Sequence, residues 1–286
     1  MFFLRPPVLL VTDLVYDHLY GRVRGMKTQA ETSIRLFRRV KTVRIAENAG
    51  TDVAVFAVAS ASERPYCVLF PYRYYREAEQ YIQDYPGVPA AVLLGRIRGS
   101  PAGTNLPGIR ADTAGDYFKI GRAAAAFAGN QSGGKGDGGE GRQPGEILFL
   151  RDDLVSPEDW EAFNQGLKAE DYPLAPFEVR SGDDYVVPGT VACVVLTGAA
   201  EPFLGQNLTL PVILVSWLDP AVTNSMVKVV FDDSPWAQVV PAAAMAAGKR
   251  EKADIPSKAL VLEKRIAGKE FLRKIKSIIR QKDPDL

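Results

Sequence analysis

Histidine and cysteine are scarce in this chain: 286 residues include one histidine, His18, and two cysteines, Cys67 and Cys193. A single imidazole excludes metal centres built from several histidines. There is also no Gly-x-Ser-x-Gly elbow, no Walker-type loop and no His-Glu-x-x-His motif. Gly133-Gly-Lys-Gly136 is expected to be a flexible loop rather than a phosphate-binding one, since no Ser or Thr follows the lysine and the sequence pattern places no strand before it. The cysteines lie in opposite halves, each inside an apolar run, Tyr66 to Phe70 and Val191 to Val195. That placement predicts buried thiols rather than a disulfide. No excess of one charge is present either. Lys and Arg number 35 against 34 Asp and Glu, a net charge of +1, so a basic face for nucleic acid is not expected. The one basic stretch, Lys264 to Lys282, is interleaved with Ile266, Phe271, Leu272, Ile275, Ile278 and Ile279 and reads as an amphipathic helix. No segment reaches the about 20 apolar residues that cross a bilayer. The opening Met1-Phe-Phe-Leu-Arg-Pro-Pro lacks the pattern of a secretory signal. Two expectations therefore stand side by side: a cytoplasmic protein, or one whose export sequence is not part of this sequence.

What is present is strand followed by helix, repeated, which predicts an α/β fold with parallel sheets covered by helices. Val8 to Thr12, Val40 to Ala46, Tyr66 to Phe70 and Ala90 to Leu94 read as strands, separated by helices at 20–38, 51–62 and 76–85. Ser100 to Gly108, with Pro101, Gly103, Pro107 and Gly108, reads as a linker. The cycle then restarts with an Ala-rich helix at 117–128 and a Gly-rich loop at 129–145, expected to be flexible. Strands follow at 146–150, 191–196, 212–216 and 259–262, with helices at 157–169, opened by Ser156-Pro157, and 234–247. The expectation is two Rossmann-like lobes joined by a hinge. Residues 1–107 with about 232–256 form the first; 108–231 with about 257–286 form the second. Ligands of open parallel sheets bind outside the carboxyl ends of the strands, so a cleft between the lobes is the expected site.

Candidate ligand contacts follow from that rule. After the first strand stand Asp13, Tyr16 and Asp17, whose carboxylates and phenol suit hydroxyl groups. After the third come Phe70 and Tyr72, aromatics able to stack on a ring, and after the fourth Arg96, which can bind an anion or pair across the hinge. In the second lobe the candidates are Asp112 near the crossing, Arg151 at the end of its strand, Thr197 and Gly198, and then Trp217 and Asp219. Asp232 and Asp233 with Ser234-Pro235 read as the start of a helix. No catalytic residue, metal or cofactor is expected.

Three stretches resemble the basic membrane protein family of nucleoside-binding lipoproteins: Tyr81 to Leu94, Asp116 to Ala126, and Thr223-Asn-Ser-Met-Val-Lys-Val229. The resemblance implies a fold of the type I periplasmic-binding kind, a place in the periplasm or cell envelope, and an ABC transporter permease as partner. The family's Asp-Asp-Lys-Ser-Phe-Asn loop is replaced here by Asp13 to Tyr20. Its acidic segment before the last crossing is Ser216-Trp-Leu-Asp-Pro220, in which Asp219 keeps the acidic contact. The implied role is capture of a nucleoside or sugar-like molecule for import. The alternatives are a ligand-sensing domain related to the lactose repressor without a DNA-binding head, and an α/β enzyme of unrecognised site.

Overall fold

The computed structural model describes residues 5–20, 22–46, 48–97, 106–131, 144–180, 187–197, 209–217, 219–248, 254–255 and 257–281. The chain divides into two compact units, Met1–Ala111 with Asp233–Ile255, and Asp112–Asp232 with Pro256–Leu286.

In the first unit, β1 (Val8–Thr12), β2 (Val40–Arg44), β3 (Cys67–Pro71), β4 (Ala90–Gly95), β5 (Gly108–Ala111) and β11 (Asp254–Ile255) form one sheet. Its order is β2-β1-β3-β4-β5-β11, and every neighbouring pair is parallel. Successive side chains of a strand point to opposite faces. Leu9, Val11, Val68, Phe70 and Val92 therefore join one buried cluster, with α3 (Thr51–Ala61) and α4 (Tyr75–Asp84). Val8, Leu10, Cys67, Leu69, Ala91 and Leu93 join the other, with Trp236, Val239 and Ala243 of α8 (Pro235–Ala246). Burial on both faces is why these strands read as unbroken apolar runs. The unit's boundary comes at Ala111, not at residue 107, because β5 extends the sheet. Of the linker expected at 100–108, residues 100–105 lie outside the described residues.

The second unit repeats the plan with β6 (Glu146–Arg151), β7 (Phe177–Arg180), β8 (Val191–Thr197), β9 (Val212–Val215), β10 (Val227–Asp232) and β12 (Lys258–Val261). The order is β7-β6-β8-β9-β10-β12, and only β12 runs antiparallel to its neighbour. One face packs on α5 (Thr113–Gln131), α6 (Pro157–Lys168) and α9 (Lys269–Arg280). α6 begins with a capping box, Ser156 and Asp159 each accepting from the other's backbone N–H. α9 buries Ile275, Ile278 and Ile279, as its spacing predicts. Helix α5 runs through Gln131, so the loop expected at 129–145 starts later; 132–143 lie outside the described residues. Where α5 and α6 cross, Gly121 and Gly166 face each other's backbone. Both cysteines are buried and free, and burial pushes the Cys67 thiol up to about 12.

Candidate functional site

A doubly wound sheet of order 2-1-3-4-5 opens a crevice where chain connections leave neighbouring strands toward opposite faces. In the first unit that point lies between β1 and β3. Asp13 follows β1 directly and begins α1 (Leu14–Tyr20), which α2 (Arg22–Leu36) follows. Its Oδ1 accepts the Tyr16 N–H at 2.6 Å, which fixes the helix start. Its Oδ2 accepts the Tyr74 O–H at 2.5 Å and pairs with Arg73 Nη1 at 2.9 Å. Tyr72–Tyr74 form a 3-10 turn immediately after β3, so one carboxylate joins the carboxyl ends of two neighbouring strands. Burial, together with the hydrogen bond to Asp13, pushes the Tyr74 phenol upward, which keeps it a neutral donor. Arg73 and Tyr74 were not among the residues expected from the sequence. Their signal was the register of β3: they follow its last residue, Pro71.

The other expected contacts fall into three groups. Asp17 pairs with Arg44 at the end of β2, close to Asp13 in the chain, and Tyr72 is 40% exposed and stacks on Tyr75. Tyr16 and Phe70 point inward. Residues 14–20 are helical rather than a loop, which turns Tyr16 into the core, and Phe70 sits inside the sheet's core against Tyr81. Neither ring is placed to stack on a ligand. Arg96 is also buried. Its Nε lies 3.1 Å from Asp233 Oδ2, so both side chains serve a buried ion pair. Asp233 therefore holds Arg96, while Ser234 occupies the N-cap of α8 without a side-chain cap bond.

In the second unit the corresponding point lies between β6 and β8. Thr197 Oγ donates to the Leu150 carbonyl at 2.9 Å and accepts the Asp152 N–H at 2.7 Å, stapling the two strand ends. Arg151 reaches Glu178 at 2.8 Å and the Val155 carbonyl at 3.1 Å. Trp217 is half-buried after β9 and follows Ser216, whose φ of 136° is a conformation that side chains rarely adopt. Such strain persists only where the surroundings enforce it, and it clusters at functional sites. Gly198 lies outside the described residues, and Asp219 is the first residue of α7 (Asp219–Thr223).

Asp112 is half-buried just before α5, and Asp116 in that helix's first turn is buried. Asp116 Oδ2 accepts the Ser257 N–H at 3.2 Å. Burial pushes its carboxyl from 3.8 up to about 7, opposed by the Ser257 hydrogen bonds and by Lys119, and reinforced by Asp112. A folded-state value above the unfolded one gives stability that is complete below pH about 4 and is lost as pH rises toward 7. Asp116→Asn, which cannot ionise, is expected to flatten that slope in urea unfolding. At pH 8 it should raise stability by on the order of 3 kcal/mol. Equal slopes for the two proteins between pH 4 and 8 would contradict this account.

Among the described residues no cluster of His, Cys, Asp and Glu could hold a metal ion, and no helix is long and apolar enough to cross a membrane. No protein-family model matches the chain, and no curated protein matches it in sequence. Solved structures do match. A periplasmic ribose ABC transporter protein from Conexibacter woesei superposes with a TM-score of 0.52 at 12% identity, covering 89% of this chain and 91% of that one. A protein from Brachyspira murdochii, described as an ABC transporter and LacI family transcriptional regulator, gives 0.51 at 12% identity over 94% and 98%. The fold is that of the type I periplasmic binding proteins.

Proposed function

We propose that the chain is a non-catalytic solute-binding protein that captures a sugar-like small molecule for an ABC importer in the cell envelope. The observation that carries this reading is the Asp13–Arg73–Tyr74 cluster at the β1/β3 switch point, where doubly wound sheets hold their ligands. The Conexibacter relative of the fold, named for ribose transport, supports the ligand class and the transporter partnership. The Brachyspira relative supports a second reading, in which the same binding function serves sensing. The resemblance of Thr223 to Val229 to nucleoside-binding lipoproteins adds nucleosides to the ligands worth testing.

Binding to the folded state alone must raise the melting temperature, by about 2.7 kcal/mol of stabilisation at about 100 times Kd. The expected result is a clear thermal shift with at least one member of a panel of neutral sugars, sugar acids, sugar phosphates and nucleosides. Asp13→Asn should reduce that shift while leaving the unliganded fold intact by circular dichroism. A panel without a single shift would sink the reading.

A further inference from the structure

We propose that α9 carries an electrostatic docking surface for an anionic lipid bilayer. This goes beyond the solute-binding reading and does not depend on it. Residues 263–281 hold seven Lys or Arg and two Glu, a net charge of +5 in a chain whose total is +1. The helical period sorts these charges by face. Ile275, Ile278 and Ile279 are buried and Phe271 packs edge-on against Phe127 of α5, so the apolar side of α9 belongs to the second unit's core. Lys269, Arg273, Lys276 and Arg280 recur at steps of four, three and four residues. They share an arc of about 60° on the side away from that core, along about 16 Å of helix axis.

Lys269, Arg273 and Arg280 are exposed, and among the described residues no acid pairs with them. Lys276 meets Glu263 at 2.6 Å, and Lys274, on the flank, meets Glu170 at 2.8 Å. Glu270 is the one acid of α9 and stands in its first turn, where the helix dipole favours it. Three unpaired cations therefore dominate the outer face. Their support is fixed, because Arg265 Nη1 donates to the Val222 and Asn224 carbonyls at 2.8 and 2.7 Å and so pins the 3-10 turn Glu263–Arg265 ahead of α9.

The stripe's sign calls for an anionic partner, and its form favours a bilayer. It is straight, lies on a helix seated against its own core, and holds no aromatic ring. Single-stranded nucleic acid is bound on aromatic stacking platforms, and duplexes by elements that enter a groove. A layer of anionic headgroups is flat and needs neither, and it attracts each nearby Lys or Arg enough for about fivefold in affinity. With the apolar side of α9 committed to the core, nothing inserts, so binding is reversible and sensitive to salt.

The test is co-sedimentation of the full chain with large vesicles of phosphatidylcholine alone and of an equimolar mixture with phosphatidylglycerol. At about 0.05 M salt the mixed vesicles should bind it about 100-fold more tightly, an excess lost by about 0.5 M. Lys269→Gln, Arg273→Gln and Arg280→Gln combined should remove the excess and leave thermal unfolding unchanged, since all three side chains are exposed. Arg273→Glu alone, a single exposed site, should already cut it about 20-fold. Arg35→Gln, Arg64→Gln and Arg76→Gln combined, exposed residues of the first unit, lower the net charge as much as the first triple variant and should keep it. Equal binding to both vesicles, or equal loss in the two triple variants, would overturn the proposal. So would tighter binding to duplex DNA than to the mixed vesicles at the same salt.

Discussion

An alanine at Gly121 is expected to lower the stability of the second unit by about 3 kcal/mol or more. A Cβ at this position would stand 2.2 Å from the Phe163 carbonyl oxygen and 3.1 Å from the Leu167 nitrogen. Both are backbone atoms of α6, so no side chain can swing aside and the helices must separate. The partner glycine is equally confined, since a Cβ on Gly166 would meet the Phe118 carbonyl oxygen at 2.2 Å. Separation would loosen Tyr117, Ile120, Phe163 and Leu167, which share one buried cluster with the sheet. Core packing close to crystal density leaves no slack to absorb that shift. At Gly129, in the same helix, an added Cβ would have nothing within 4 Å. Gly129→Ala should accordingly be neutral or stabilising by up to about 1 kcal/mol through helix propensity. Urea unfolding followed through Trp160, which stacks on Phe163, reads both variants. A cost below about 1 kcal/mol at Gly121 would mean that the helices do not meet as closely as described.

Removal of the Arg96 guanidinium should cost the first unit about 3–5 kcal/mol. The Arg96–Asp233 pair is buried on both sides, at 4% and 9% side-chain exposure. Charges withdrawn from water are stabilised by their pairing, and losing Arg96 removes the guanidinium that faces Asp233 in a poorly solvating place. Position matters as well. Gly95, with φ of 58°, turns the chain out of β4, and its N–H is held by Gln238 Oε1 at 3.2 Å. Arg96 and Gln238 thus tie the end of β4 to α8 and the residues before it. The expected result for Arg96→Met is early unfolding reported by Trp236, which packs in the same unit. Arg96→Met combined with Asp233→Leu should recover most of the loss, because the uncompensated charge is then gone. A single variant as stable as wild type would show that water reaches the pair.

Much of the architecture was legible before the structure. β1, β3, β4, β6, β8 and β9 are unbroken apolar runs, the pattern of strands covered on both faces. Four strands were missed, each for a local reason. β11 has two residues, β7 has three of its four exposed, β5 follows a Pro/Gly-rich stretch, and Lys228 interrupts β10. The helix expected at 20–38 is α2, Arg22–Leu36, and a separate helix that the sequence did not announce, α1, precedes it from Leu14, where Asp13 caps it.

The sequence alone determined the alternation of strand and helix, and with it a parallel α/β fold whose strand ends carry charged and aromatic residues. Periodicity reports burial, and burial is decided mostly within each element. The tertiary structure decided which of those strand-end side chains turn outward. Asp13 finds Arg73 and Tyr74, Arg96 finds Asp233, and Phe70 and Tyr16 enter the core. Such pairings join residues distant in the chain, and the pairing energy depends on burial and distance, which only the assembled sheet sets.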